Sequence, residues 1–116
     1  MPDQPAYNTF ELYNLSKKLV IACYELTHDL PTEEKTNLTQ YIRTAAVTVH
    51  INITQGLSLK KKKKRKKVII IIQNALTIIN AATEVLLEVG LITKEKGSEL
   101  TVLVTDCYAS IEHLKK

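Results

Sequence analysis

Three observations predict an all-α chain folded as an up-down-up-down antiparallel four-helix bundle. Gly and Pro number only three each in 116 residues, and two of the prolines fall within the first five. So few chain breakers favour a handful of long helices over many short strands. Apolar residues recur at alternating steps of three and four along four separate stretches, the rhythm of a buried helix face. The segments between those stretches are short, which makes consecutive helices antiparallel neighbours. A chain of this length holds one modest core. The expected organisation is a disordered lead-in over residues 1–6 and a bundle domain over 7–116, with helices near 8–29, 33–55, 59–89 and 94–114.

The lead-in is read from Pro2 and Pro5, which lack the N–H that a helix needs. The first helix carries Leu12, Leu15, Leu19, Ala22 and Leu26 as its stripe, widened by Tyr13, Val20, Cys23 and Tyr24. Pro31 ends it, because it disfavours helical geometry in the residue before it. Thr32 is the expected N-cap of the second helix, with Glu33 and Glu34 placed where the helix dipole favours anions. Its stripe is Leu38, Ile42, Ala45, Val49 and Asn52, and Gly56 reads as a left-handed C-terminal cap. Ser58 is the expected cap of the third helix. Val68, Ile72, Ala75, Ile79, Ala82, Leu86 and Val89 form its stripe, and it ends near Gly90. Thr93 caps a fourth helix with Leu100, Val104, Cys107, Ile111 and Leu114 inward. Gly97 costs roughly 1 kcal/mol relative to Ala there, which predicts a loose first turn.

The third helix has more apolar surface than a bundle requires. Ile69, Ile70, Ile78, Val85 and Leu87 lie off its main stripe. A helix apolar most of the way round is buried on most sides, so self-association through Ile70 and Ile78 is expected. The helix also opens on eight consecutive cations: Lys60, Lys61, Lys62, Lys63, Lys64, Arg65, Lys66 and Lys67. The chain has 16 Lys and Arg in all against 12 Asp and Glu, so half of the basic residues sit in this run and the remainder of the chain is acidic. Such a localised cation block predicts a polyanionic partner. Its cost in a helix is like-charge repulsion at the i,i+4 spacing, about 1–2 kcal/mol for four pairs. The positive N-terminal pole of the helix adds to that cost. The run is therefore either a frayed, solvated loop or a phosphate-binding segment that orders on its ligand. Lysine offers point charges without arginine's planar fork, and aromatics are 5% of the chain with no Trp. Backbone binding of RNA or DNA with weak sequence preference is what these residues can deliver.

Other chemistry is poorly provided for. His28, His50 and His113 are isolated, and no His or Cys pair has metal-ligand spacing. Three scattered glycines cannot build a phosphate-cradling loop. The expectation is no enzyme, no catalytic residue, no metal and no cofactor. Cys23 and Cys107 fall at core positions, as free thiols in a reducing cytoplasm or as a disulfide between the first and last helices. A cation block beside an apolar run also resembles a membrane anchor. A span needs about 20 predominantly apolar residues, whereas Gln73, Asn74, Asn80 and Glu84 interrupt this one, so no membrane association is expected.

Several motifs resemble one family, the small four-helix-bundle proteins encoded in intervening sequences of bacterial large-subunit ribosomal RNA genes. Its relatives include the accessory variability determinants of diversity-generating retroelements. Tyr24-Glu25-Leu26-Thr27, Leu30-Pro31 and Glu33-Glu34 resemble the end of that family's first helix. Residues 43–56, from Arg43 through Asn52 to Gly56, resemble its signature, an Arg-Arg-Ala-Ala-x-Ser-Ile-Pro-x-Asn-Ile-Ala-Glu-Gly type run. Val89-Gly90-Leu91-Ile92 is similar to the turn into its last helix. The chain departs at His50, where Pro is common, and at Thr44, where a second Arg is usual. It departs again at the nearly pure lysine run, and at Ile78 and Asn80, where acidic residues are usual. The resemblance implies a homopentameric barrel with a basic surface, nucleic-acid binding in which Arg43 takes part, and, in the retroelement branch, association with a reverse transcriptase.

Two functions from different classes follow. One is a non-enzymatic, nucleic-acid-binding oligomer serving a retroelement or an rRNA intervening sequence. The other is a structural adaptor that binds a protein partner, with the lysines only keeping it in solution.

Overall fold

The structure, a computed structural model, describes residues 9–57 and 61–114. Four helices account for most of them: α1 (Thr9–His28), α2 (Leu38–Gly56), α3 (Lys62–Glu88) and α4 (Lys94–His113). A 3-10 turn, Thr32–Glu34, lies between α1 and α2. There is no strand among the described residues. The lead-in, the cap expected at Ser58 and the first lysine, Lys60, lie outside them.

The helices pack in a ring, α1 on α2, α2 on α3, α3 on α4 and α4 on α1, while the two diagonal pairs do not meet. Each helix sends its stripe into one shared core. Leu12, Leu19 and Leu26 enter from α1, Ile42, Val49 and Ile53 from α2, Ile72, Ile79 and Leu86 from α3, and Leu100, Val104 and Ile111 from α4. Each such side chain, fully buried, contributes roughly 1.5–3 kcal/mol. Ile69 and Leu76 are also fully buried on α3. That widens its inward face enough to serve both α2 and α4, and it takes Ile69 out of the surplus expected from its off-stripe position. Cys23 and Cys107 are free and completely buried. Burial pushes both thiols up to about 12, with Cys107 adding to the effect on Cys23 and Asp106 to that on Cys107.

Polar side chains inside the helices are satisfied locally. Thr27, Thr83 and Ser110 are buried and donate to carbonyls four residues back, Cys23 O, Ile79 O and Asp106 O. Gln73 bridges two helices by donating from Nε2 to Glu112 Oε1 at 2.7 Å.

Helix ends hold the main departures from expectation. Thr32 does not cap α2. The amides of Glu34 and Lys35 instead donate to Pro31 O and Thr32 O, closing a 3-10 turn, and α2 begins only at Leu38. Asn37 occupies the N-cap without a side-chain cap bond, and the Glu34 carboxylate accepts the Leu38 amide at 3.4 Å instead. Gly56 is not a left-handed cap. It is a buried helical residue, and a Cβ built on it would sit 2.5 Å from Val68 Cγ1. Its role is to let the end of α2 approach the start of α3. The left-handed residue is Gly90, at φ 76°. There Leu91 N donates to Leu86 O and Gly90 N to Leu87 O, the paired bonds of a Schellman close. Thr93 caps α4 as expected, accepting from Lys96 N. The first turn of α4 is not loose: Gly97 N bonds Thr93 O, and Gly97 is buried against Leu87.

By length and composition α3 could cross a membrane, with a mean hydropathy of 1.6 over its best window. In this fold its stripe is packed in the core.

Candidate nucleic-acid interface

The lysine run is helical from its second described residue. Lys61 stands at the N-cap in extended geometry, and Arg65 N donates to Lys61 O at 3.0 Å, so the first turn is formed. Val68, Ile69 and Ile72, packed in or against the core, anchor the helix against its own charge repulsion. Lys61, Lys62, Lys63, Lys64, Lys66 and Lys67 are exposed and Arg65 is half-buried. Lys62 to Lys67 span about 9 Å of axis and, at 3.6 residues per turn, radiate all round it. Only part of the run can therefore face one strand at a time.

Sequence reading passed over two further cations, Lys17 and Lys18, both exposed on α1. Ser16 Oγ lies 2.7 Å from His50 Nδ1, which joins early α1 to late α2, and Gly56 against Val68 joins late α2 to early α3. Lys17 and Lys18 stand at the middle of α1, a helix that does not contact α3. Their only signal was an adjacent pair at outward helix positions.

Arg43 is not brought to the run. It lies about 20 Å along α2 from Gly56, at the corner where late α1 meets early α2. Its Nε donates to Thr27 Oγ1 at 2.8 Å, and the guanidinium stacks 4.4 Å from the centre of the Tyr24 ring. Asn52, the other polar residue of the signature, donates from Nδ2 to Thr48 O in its own helix. His50, standing where Pro is common in the family's signature, leaves α2 unbroken and packs at 5.0 Å on Tyr13. Burial, and secondarily the Lys17 ammonium, hold its imidazole below the usual histidine range.

Ile70 and Ile78 are 54% and 44% exposed, and Ile71 and Val85 are similarly open. Ile71, Ile78 and Val85 recur every seven residues, with Asn74 and Ala81 between them. That is the spacing of a seam for another helix.

Four helices in a ring, a helical cation block at the start of one of them and a second apolar row along the same helix define an all-helical bundle protein. The particular group is set by comparison. The family model of the 23S rRNA-intervening sequence protein matches residues 8–113, and the chain belongs to that family. A search of curated proteins finds no match.

Proposed function

We propose that this protein is a non-enzymatic nucleic-acid-binding bundle of up-down-up-down topology. In this reading it assembles as a closed oligomer, a pentamer by family resemblance, and holds RNA or DNA by its backbone. The observation that carries the proposal is the exposed, preformed helical turn of Lys61–Lys67. Six lysines and Arg65 standing ordered against their mutual repulsion are matched by an anion of repeating charge. Assembly through the outer row of α3 sets several copies of the run around one axis and multiplies the local field. Membership of the family supports service to an rRNA intervening sequence, and partnership with a reverse transcriptase belongs to the retroelement branch.

Gel shifts across salt concentrations test this. If each subunit neutralises about three phosphates of a single strand, the log–log salt slope is near −2 per engaged subunit, from roughly −0.7 per contact. Lys62→Gln and Lys66→Gln each weaken all sequences alike and flatten the slope by about 0.7 per engaged subunit. A salt-insensitive complex, or no binding by the parent, overturns the proposal in favour of an adaptor that uses the α3 row for a protein partner.

A further inference from the structure

We propose that the corner between α1 and α2 is a binding pocket for a phosphoryl group, distinct from the lysine run. A cavity of about 280 Å³ opens there, lined by Thr27, His28, Thr32, Lys35, Thr39 and Arg43 among others. That volume is at the small end for ligand sites and suits a compact oxyanion with a short substituent. No carboxylate lines it, although Asp29, Glu33 and Glu34 are close in sequence. Glu34 is instead engaged by the Asn37 side chain and the Leu38 amide.

Two features mark the cavity as a built site. Arg43 is held in place by Thr27 Oγ1 and by the Tyr24 ring and carbonyl. A guanidinium has five N–H donors, so this clamp orients the fork without consuming it. Thr39 is only 7% exposed. Its hydroxyl hydrogen-bonds to no described residue, yet it is not sealed in, so it opens into the cavity. The hydroxyl is reached by water rather than being a buried orphan, and an anion seated in the cavity replaces that water as its partner.

Thr39 and Arg43 are four residues apart and so share one face of α2. Thr39 also lies in the first turn of that helix, where free amides and the dipole favour negative charge. Lys35 lines the same cavity. Arg43, Lys35, the Thr39 hydroxyl and the start of α2 thus border one cavity. Two cations and no carboxylate border the cavity, and a phosphoryl group, with more charge and more oxygens than a carboxylate, uses more of these donors.

Titration of isotope-labelled full-length protein with inorganic phosphate, followed by NMR at constant ionic strength, tests the pocket. Saturable shifts are expected at Thr32, Lys35, Thr39 and Arg43, with a Kd of about 1 mM or tighter. Thr39→Val, which keeps the shape and removes the hydroxyl, weakens binding about tenfold, and Lys35→Gln weakens it several-fold. Replacing the lysines of residues 61–67 by Gln leaves these shifts in place, so failure of the nucleic-acid reading is seen separately from failure of this one. An oligonucleotide with a terminal phosphate, run against the same strand without it, separates a strand end from a free ion as the source. Absence of saturable shifts at the corner overturns the proposal. So does equal affinity in a folded Thr39→Val protein, or a response confined to residues of the lysine run.

Discussion

His50 couples α1 to α2 through Ser16 and Tyr13, and its imidazole is held neutral by burial and by Lys17. A base whose pKa is lowered on folding binds its proton more readily in the unfolded chain. Stability is therefore lost as pH falls through the unfolded histidine value near 6.5 towards the lower folded one. The expected result is a lower urea midpoint for the wild type at about pH 5.5 than at about pH 7.5, with a smaller drop in His50→Gln. Equal drops in the two proteins would assign the acid sensitivity elsewhere. In the sequence His50 stands out as an isolated histidine and as a departure from a family pattern. The hydroxyl that faces it comes from another helix, 34 residues away.

At the scale of elements, the stripes were legible because each helix turns one face to a common core. Leu12, Ile42, Ile72 and Val104 fall where a three-four rhythm places them. The ends were less legible because one residue type serves unlike purposes. Gly56 has the spacing of a terminal cap, but it is there for close approach to Val68, and the cap is Gly90. Thr32 precedes two glutamates as an N-cap often does, yet the backbone after Pro31 closes a 3-10 turn first. The two buried glycines differ in a measurable way. In Gly56→Ala the new methyl meets Val68, branched at its Cβ and close to the backbone, so a loss of about 1–3 kcal/mol is expected. Val68→Ala in the same chain should recover part of it. In Gly97→Ala the methyl meets the terminal carbons of Leu87 at 2.9 Å and 3.0 Å. A rotamer shift relieves that contact, and the gain in helix propensity of about 1 kcal/mol offsets it. Urea midpoints should rank wild type and Gly97→Ala together, well above Gly56→Ala. The same contrast separates the candidate sites. The lysine run is contiguous and was read directly. The corner pocket is assembled from Thr27, Lys35, Thr39 and Arg43, whose spacing matches no motif until the 3-10 turn folds them together.

For the whole molecule, the decisive surface is the outer row of α3. Ile71, Ile78 and Val85 are 46%, 44% and 47% exposed, while Ile72 and Ile79 behind them are completely buried. One helix therefore carries a filled seam and an open one. Covering the open seam with a second copy requires sedimentation as one closed species several times 13.1 kDa. Ile70→Glu or Ile78→Glu should break that species down without unfolding the protomer, since neither side chain is in the core. A monomer of unchanged mass at micromolar concentration would count against assembly through α3.

Charge is distributed unevenly along the 49 Å length of the molecule. Lys61–Lys67 stand at one end, at the start of α3, with Glu112 held near them by Gln73. Glu25, Glu84, Glu88, Glu95 and Glu99 lie toward the other end, interspersed with Lys94 and Lys96 and near the Lys35 and Arg43 of the corner pocket. Electrostatic influence decays over about 8 Å in physiological salt, a small fraction of that length. The two poles are therefore electrically deaf to one another. Under the proposed function a polyanion is drawn to the lysine run first, and the opposite end is left pointing into solvent. Under that same reading a molecule docked by its lysine run stands upright rather than lying flat, and the end with the corner pocket stays open to solvent.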